Sequence, residues 1–211
     1  MKQPWIISCL VISSLITTLS AQEADEWTAL PDMPEGKWEP GVVNLDNKLF
    51  LFGGYKSGVV SSKRSDVFDP TSGSWTSIQE LPSAITHMNM VLDGRTVWFA
   101  GGFKDGYPGH AIAEVWNYDV DLDRYTAAPL LPEPRAGGGL AIVGRELHYF
   151  GGLISDRDTD SPDHWVLNLE DLANGNGGWQ ATTPMPTPRN QFSTVTFQGK
   201  IYAIGGQFNH D

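Results

Sequence analysis

A short apolar stretch that ends in two glycines recurs along this chain at intervals of about 50 residues. The four copies cover residues 50–54, 98–102, 148–152 and 202–206. Their paired glycines are Gly53 and Gly54, Gly101 and Gly102, Gly151 and Gly152, and Gly205 and Gly206. A unit repeated in this way cannot bury its apolar faces alone, so the sequence predicts units that pack against one another.

Each copy has the pattern of a hairpin whose second strand is buried. Pairs such as Asp46-Asn47 and Asp93-Gly94 come first, and these residues tolerate the positive φ of tight hairpins. The residues that follow, as at 49–52, are apolar with no polar alternation, which is typical of a strand buried on both faces. Glycine at a strand end marks a bulge or a close approach by another segment. We therefore expect another part of the chain to come close to each glycine pair.

An aromatic residue and a proline-rich turn complete each repeat. Trp75, Tyr125 and Trp179 occupy equivalent places, about 25 residues after the glycines. We expect each ring to stack where the glycines leave no side chain. Prolines at positions 82, 132 and 186 then mark the turn into the next repeat. Each repeat thus holds four strands, which is the content of one β-propeller blade.

These residues resemble the kelch repeat, and the resemblance covers about residues 27–206. It implies an all-β, kelch-type β-propeller, which we favour over the alternative fold, a β-sandwich with frequent glycine. Kelch propellers usually close with six or seven blades, whereas this chain supplies about three and a half four-stranded blades. We therefore expect the propeller, over residues 22–211, to be incomplete at its C-terminus and the chain to be a fragment.

The first 21 residues have the pattern of a secretory signal peptide. Lys2 precedes an apolar core that continues to Leu19, and Ala21 provides a small residue for cleavage. The core is short and rich in Ser and Thr, which disfavours a membrane span, although a retained anchor is the alternative. The sequence therefore predicts a secreted or periplasmic protein. Cys9, the only cysteine, would leave with this peptide, so no disulfide is expected.

Charge and motif content exclude several functions. The chain has 25 acidic and 14 basic residues and a net charge of −11, which argues against nucleic acid or anionic membrane as a partner. It contains no phosphate-binding loop, nucleophile elbow or zinc-binding helix motif. No cofactor or metal is predicted, and no residue set singles out catalysis.

Three cationic residues are candidates for ligand binding. Arg135 and Arg189 follow Pro-x-Pro segments, and Lys37 has the same offset from Pro34. The resemblance implies that this position lies near the entrance of the central channel. A cationic collar there would bind a carboxylate, since arginine offers a bidentate fork. In the alternative interpretation, each side chain bonds loop carbonyls and fixes the turn between blades.

His87, His110 and His210 are further candidates, because all three fall in or beside loops of the same expected face. Imidazoles from different blades could converge on a ligand or a metal, or one could act as a general base; solvated loop positions are the alternative. Trp38 and Tyr107 are loop aromatics that either stack on sugar rings or pack locally.

The predicted function is a secreted binding module for a carbohydrate, protein or other ligand at the loop face. The alternative is a carbohydrate-active enzyme, because exported kelch propellers include sialic acid mutarotases and copper radical oxidases similar to galactose oxidase. The oxidases need a cysteine crosslinked to a tyrosine, and Cys9 is removed with the signal peptide. The mutarotases need an acid–base pair beside a carboxylate clamp, which Arg135 and Arg189 could supply.

Overall fold

The computed structural model describes residues 29–208. The predicted signal peptide at residues 1–21 and the candidate His210 lie outside the described residues. No helix among the described residues has the length and apolar character needed to cross a membrane.

Contacts divide the chain into two units, Met1–Leu30 and Pro31–Asp211. Of the first unit only residues 29 and 30 are described, and they lack regular secondary structure. All the elements described below belong to the second unit. Its strands are β1 (Gly41–Leu45), β2 (Lys48–Phe52), β3 (Tyr55–Lys56), β4 (Val60–Ser61), β5 (Ser65–Asp69), β6 (Ser74–Ile78), β7 (Ile85–Thr86), β8 (Asn89–Asp93), β9 (Thr96–Ala100), β10 (Phe103–Lys104), β11 (His110–Ala111), β12 (Val115–Asp119), β13 (Arg124–Ala127), β14 (Gly139–Val143), β15 (Glu146–Phe150), β16 (His164–Asn168), β17 (Gln180–Ala181), β18 (Ser193–Phe197) and β19 (Lys200–Ile204). The described part of the chain has one α-helix, α1 (Leu169–Ala173).

Three antiparallel sheets of four strands follow one another along the chain. Blade 1 has the order β1-β2-β5-β6, blade 2 has β8-β9-β12-β13, and blade 3 has β14-β15-β16-β17. Strands β18 and β19 pair as a two-stranded sheet, which we call half-blade 4. The first strands of successive blades are neighbours. The sheets thus have the strand content and order predicted for propeller blades.

Short β-segments extend one end of the blades, which we call the upper face. There, the segment before the first strand of a blade pairs with the segment after the glycine pair of the same blade. These pairings are Trp38 with Tyr55, β7 with β10, Ala136 with Leu153, and Asn190 with Gln207. The same backbone pairing thus recurs at the upper face of every blade, at the base of the loops.

The glycine pairs lie where two backbone segments come closest, as the sequence predicts. A Cβ atom on Gly101 would lie 2.3 Å from the carbonyl oxygen of Arg135, which leads into blade 3. A Cβ atom on Gly102 would lie 2.8 Å from the carbonyl oxygen of Thr86, in its own blade. The amide of Gly102 donates to the Arg135 carbonyl at 2.8 Å. The absence of a side chain at Gly101 therefore lets the backbone before blade 3 come close. The absence of a side chain at Gly102 does the same for the segment before the first strand of its own blade, which we call the lead-in segment.

The aromatic rings expected against the glycines lie elsewhere, so that prediction is wrong. Trp75 packs on Phe68 at 4.9 Å between ring centroids, and Tyr125 packs on Tyr118 at 4.8 Å. The indole of Trp179 donates to a carbonyl oxygen of the preceding blade, that of Pro129, at 2.9 Å. The atoms nearest the glycines are instead backbone carbonyl oxygens and other side chains, such as Met88 at Gly53 and Phe192 at Gly151.

Apolar side chains fill the spaces between blades. Phe52 of blade 1 packs edge-on against Phe99 of blade 2 at 4.9 Å. Phe150 of blade 3 stacks on Phe192, which leads into half-blade 4, at 5.6 Å. Burial of these rings between sheets stabilises the order of blades, because apolar area leaves water only when neighbours are in place.

We expect Gly101→Ala to destabilise the protein far more than Gly94→Ala. Both residues have positive φ, of 66° and 60°, so each alanine carries the strain of the left-handed region, about 1–2 kcal/mol. Only Gly101 also faces a carbonyl within contact distance, whereas nothing lies within 4 Å of a Cβ on Gly94. The added overlap should lower the free energy of unfolding by about 1–3 kcal/mol more. Urea denaturation measures the difference, and equal losses would contradict the close-approach explanation.

Candidate functional site

One backbone position recurs at the upper end of each first strand. Glu39, His87, Gly137 and Gln191 all have positive φ there, at 52°, 51°, 64° and 51°. The amide of Gly137 donates to the backbone carbonyl oxygen of His87 at 2.9 Å, and the amide of Gln191 donates to the backbone carbonyl oxygen of Gly137 at 2.7 Å. We call these four residues the rim. Their shared conformation belongs to the architecture, since three non-glycine residues adopt it in three different blades.

The side chains of Glu39 and His87 meet on the rim. His87 Nδ1 lies 3.3 Å from Glu39 Oε2 and 3.0 Å from the Thr86 hydroxyl. The imidazole packs edge-on against Tyr55 and Phe103, at 6.0 and 5.1 Å between ring centroids. Only 9% of the His87 side chain is exposed, compared with 45% of the Glu39 side chain. A buried imidazole from blade 2 thus contacts an accessible carboxylate from blade 1.

Burial sets the protonation of this pair. Burial, together with the nearby Arg157 charge, lowers the pKa of His87 to about 4. Burial also raises the pKa of Glu39, and Arg157 partly opposes that shift. The imidazole is therefore neutral at pH 7, and its contact with Glu39 is a polar contact rather than an ion pair.

Arg157 brings a third blade to the same place. It lies in the loop after β15, yet its guanidinium carbon sits 3.6 Å from the centroid of the Phe103 ring and 5.2 Å from that of Tyr107. Its Nη1 donates to the carbonyl oxygen of Pro108, and its Nη2 lies 3.4 Å from the Tyr55 hydroxyl. Side chains from blades 1, 2 and 3 therefore converge at one spot.

Two solvent-exposed aromatic residues flank this spot. Trp38 is 53% exposed and packs edge-on against Tyr55 at 5.7 Å, and Tyr107 is 70% exposed. Exposed large rings on a scaffold loop are typical of binding surfaces. We name the whole set the upper-face cluster; its members are Trp38, Glu39, Tyr55, His87, Phe103, Tyr107 and Arg157.

The three predicted cations have partners within the protein. Arg135 is 3% exposed and donates to Glu133, Asp163 and the Pro134 carbonyl. Arg189 donates to the Gly205 carbonyl at 2.9 Å. The buried Lys37 donates to the carbonyl oxygen of Arg64, and burial lowers the pKa of Lys37. This geometry matches the alternative in which each side chain fixes a turn, and a ligand-binding role stays a prediction.

The two predicted histidines that the structure describes, His87 and His110, have different partners. His87 belongs to the upper-face cluster, whereas the exposed His110 lies 3.7 Å from Asp105. His148 and His164 contact each other at 3.0 Å within blade 3. Within residues 29–208, no group of three or more His, Cys, Asp or Glu side chains is arranged to hold a metal ion.

Sequence reasoning missed Glu39, Tyr55 and Arg157. Glu39 could have been found from its alignment with His87 two residues before the first strand, a register that the glycine pairs fix. Arg157 carries no such signal, because the equivalent places in the loops of blades 1 and 2 hold Val59 and Tyr107 rather than an arginine. Its role depends on where the loop lies in space.

Comparisons with known proteins agree with this architecture. A family model described as Kelch motif matches residues 39–82. The chain is 26% identical over 198 residues to a kelch repeat-containing protein of Arabidopsis thaliana, covering 93% of this chain and 46% of that protein. It is 27% identical over 197 residues to Kelch-like protein 34 of Homo sapiens, covering 86% and 30%. The chain thus spans less than half the length of these relatives.

A solved structure shows the fold. The structure of YjhT superposes with a TM-score of 0.73 at 15% sequence identity, covering 88% of this chain and 64% of that one. With the four-stranded blades described above, this similarity confirms the all-β, kelch-type β-propeller. The motif match and the relatives support the kelch-repeat family.

We expect the imidazole of His87 to titrate with a pKa near 4. Removing the neighbouring positive charge in Arg157→Ala should raise this pKa, while burial keeps it below the ordinary 6.5. Histidine side-chain NMR signals followed from pH 3 to 8 measure both values. The matched control is Arg145→Ala, which removes an arginine paired with Asp93 at a hairpin turn and should leave His87 unchanged. A pKa near 6.5 for His87 in the wild type would contradict the burial argument.

Proposed function

We propose that this protein is a binding module and that the upper-face cluster is its binding surface for a carbohydrate or protein ligand. The kelch-repeat propeller fold itself favours a protein-binding or ligand-binding module. The observation that carries the proposal is the convergence of three blades, whose loops place polar and aromatic side chains together on a rigid scaffold. Such a scaffold lowers the entropy lost when a ligand binds.

The chemistry of the cluster suits either ligand class. The exposed rings of Trp38 and Tyr107 offer flat apolar faces that stack on sugar rings, and the Glu39 carboxylate between blades accepts hydrogen bonds from hydroxyl groups. In a protein complex the same rings would be the anchor residues, because tryptophan and tyrosine dominate interface energetics. Both cases place Trp38 at the contact.

We expect Trp38→Ala to weaken ligand binding at least about tenfold, which corresponds to about 1.4 kcal/mol. Ligands would first be identified by screening the protein on glycan arrays and by affinity capture, and dissociation constants would then be measured by calorimetry. The matched control is Leu122→Ala, since Leu122 is 60% exposed in the turn between β12 and β13. If both variants bind the captured ligand as well as the wild type does, the upper face is not the binding surface.

A second candidate is an acid–base enzyme acting on a sugar hemiacetal, the alternative of the sialic acid mutarotase type. The contact between Glu39 and His87 supports it, because the Glu39 carboxylate can take the proton of the anomeric hydroxyl group as a general base while a solvent water molecule protonates the ring oxygen as the ring C–O bond breaks. The neutral imidazole of His87 would position this carboxylate. Arg157 would bind the carboxylate of an acidic sugar. The described residues give no comparable support to a copper radical oxidase, because they include no cysteine for the crosslink to tyrosine.

The enzyme candidate predicts faster exchange between anomers. The wild-type protein should accelerate α/β exchange of an acidic sugar, measured by NMR exchange spectroscopy, and Glu39→Gln should lower the rate constant by a factor of about 100 or more. Leu122→Ala should behave as the wild type. If the protein binds the sugar but exchange is no faster than in buffer, the enzyme candidate is wrong and the binding-module proposal stands.

We further propose that the protein is secreted or periplasmic. The charged start, apolar core and small residues at 18–21 support export. When the full-length chain is expressed in an exporting host, N-terminal sequencing of the exported protein should begin at Gln22. Recovery of the chain with Met1 intact, in the cytosolic fraction only, would contradict this proposal.

A further inference from the structure

The guanidinium of Arg157 is held by aromatic faces and neutral oxygen atoms. Its carbon lies 3.6 Å from the Phe103 ring centroid and 5.2 Å from that of Tyr107. Its nitrogens contact the Pro108 carbonyl and the Tyr55 hydroxyl. A ring face together with a carbonyl acceptor is the environment that a guanidinium prefers, because it stacks on aromatic rings and carries only donors. We call Tyr55, Phe103, Tyr107 and Pro108 the guanidinium cage.

The cage is built without any residue from blade 3. Tyr55 belongs to blade 1, where its backbone pairs with Trp38. Phe103 begins β10, which is paired on both sides, with β7 and β11. The amide of Tyr107 donates to the Val59 carbonyl at 3.2 Å, which ties the loop of blade 2 to that of blade 1. Blades 1 and 2 therefore form the cage, and Arg157 enters it from outside.

The loop that carries Arg157 is stabilised by its own hydrogen bonds. Asp156 Oδ1 accepts from the amides of Asp158 and Thr159, both at 2.9 Å. The amide of Ile154 donates to the Thr159 carbonyl at 3.1 Å. None of these bonds uses the Arg157 side chain, so the side chain can leave the cage while the turn is kept. Tyr107 is 70% exposed, so solvent reaches this member of the cage.

We propose that the guanidinium cage is the docking point for an arginine side chain of a protein partner, and that Arg157 is an internal occupant that this arginine displaces. The inference rests on the proposed role of the upper face as the binding surface and specifies the partner's chemistry. The net charge of −11 favours a basic partner, and so do two exposed carboxylates: that of Glu39, which interacts with the charge of Arg157, and that of Asp105, which lies between Phe103 and Tyr107 in the sequence.

An internal occupant has a measurable consequence for affinity. A side chain tethered beside its site competes at an effective concentration in the millimolar range, so an external arginine binds weakly until it displaces Arg157 or the tethered side chain is removed. Removal of Arg157 should therefore strengthen the binding of an external arginine. The same change at an arginine elsewhere should have no such effect.

The experiment compares wild type, Arg157→Ala and the control Arg145→Ala. The probes are methylguanidinium, the blocked peptide acetyl-Gly-Arg-Gly-amide, and the same peptide with citrulline in place of arginine. Binding is followed by NMR shifts of the Tyr107 ring and by calorimetry. We expect Arg157→Ala to bind the arginine peptide at least about tenfold more tightly than either other protein, to bind methylguanidinium with shifts at Tyr107, and to ignore the citrulline peptide.

Two results would overturn the proposal. One is equal binding of the arginine peptide by Arg157→Ala and Arg145→Ala, and the other is equal binding of the arginine and citrulline peptides by Arg157→Ala. If Arg157→Ala does not fold, as judged by circular dichroism, Arg157→Gln replaces it with the same expectations. If the cage fails these tests while Trp38→Ala still weakens ligand binding, the arginine inference is wrong and the proposed binding surface stands.

Discussion

The close approach of backbone segments at the glycine pairs is the constraint on which the structure depends. At the first three pairs, one carbonyl from the next blade and one from the same blade lie where side chains would otherwise be, as with Arg135 and Thr86 beside Gly101 and Gly102. The hydrogen bond from the second glycine to the next blade fixes the distance between sheets. Rings such as Phe52 and Phe99 can then interlock between the blades and exclude water.

The same constraint produces the candidate site. Because each lead-in segment is held against a glycine pair, the residues that follow it reach the rim in one conformation, with Glu39 and His87 as neighbours. The loops after the glycines are not constrained in this way and differ between blades. The rim therefore holds Glu39 and His87 in fixed positions, and the variable loops place residues particular to each blade around them.

Repeated and unrepeated arginines have different roles. Arg135 and Arg189 occupy the same place in successive repeats. Each donates to a neighbouring group, Arg135 to Asp163 and Arg189 to the Gly205 carbonyl oxygen, as expected of a position that stabilises every blade. Arg157 occurs in one loop only, and it connects three blades through Tyr55, Phe103 and Tyr107. The recurring arginines therefore hold each blade together, whereas the unrepeated Arg157 lies in the proposed binding surface.

The period of the glycine pairs and the apolar runs before them determined the four-stranded blades, because both reflect local hairpin geometry and burial on two faces. They also predicted the close approach at the glycines, though not what approaches. The expected rings of Trp75 and Tyr125 pack on their own sheets, and carbonyl groups of the lead-in segments lie against the glycines instead. Only the tertiary structure decided the site. Glu39, His87 and Arg157 are far apart in sequence, and they meet because the packing of successive blades turns three separate loops toward one point, which no local pattern encodes.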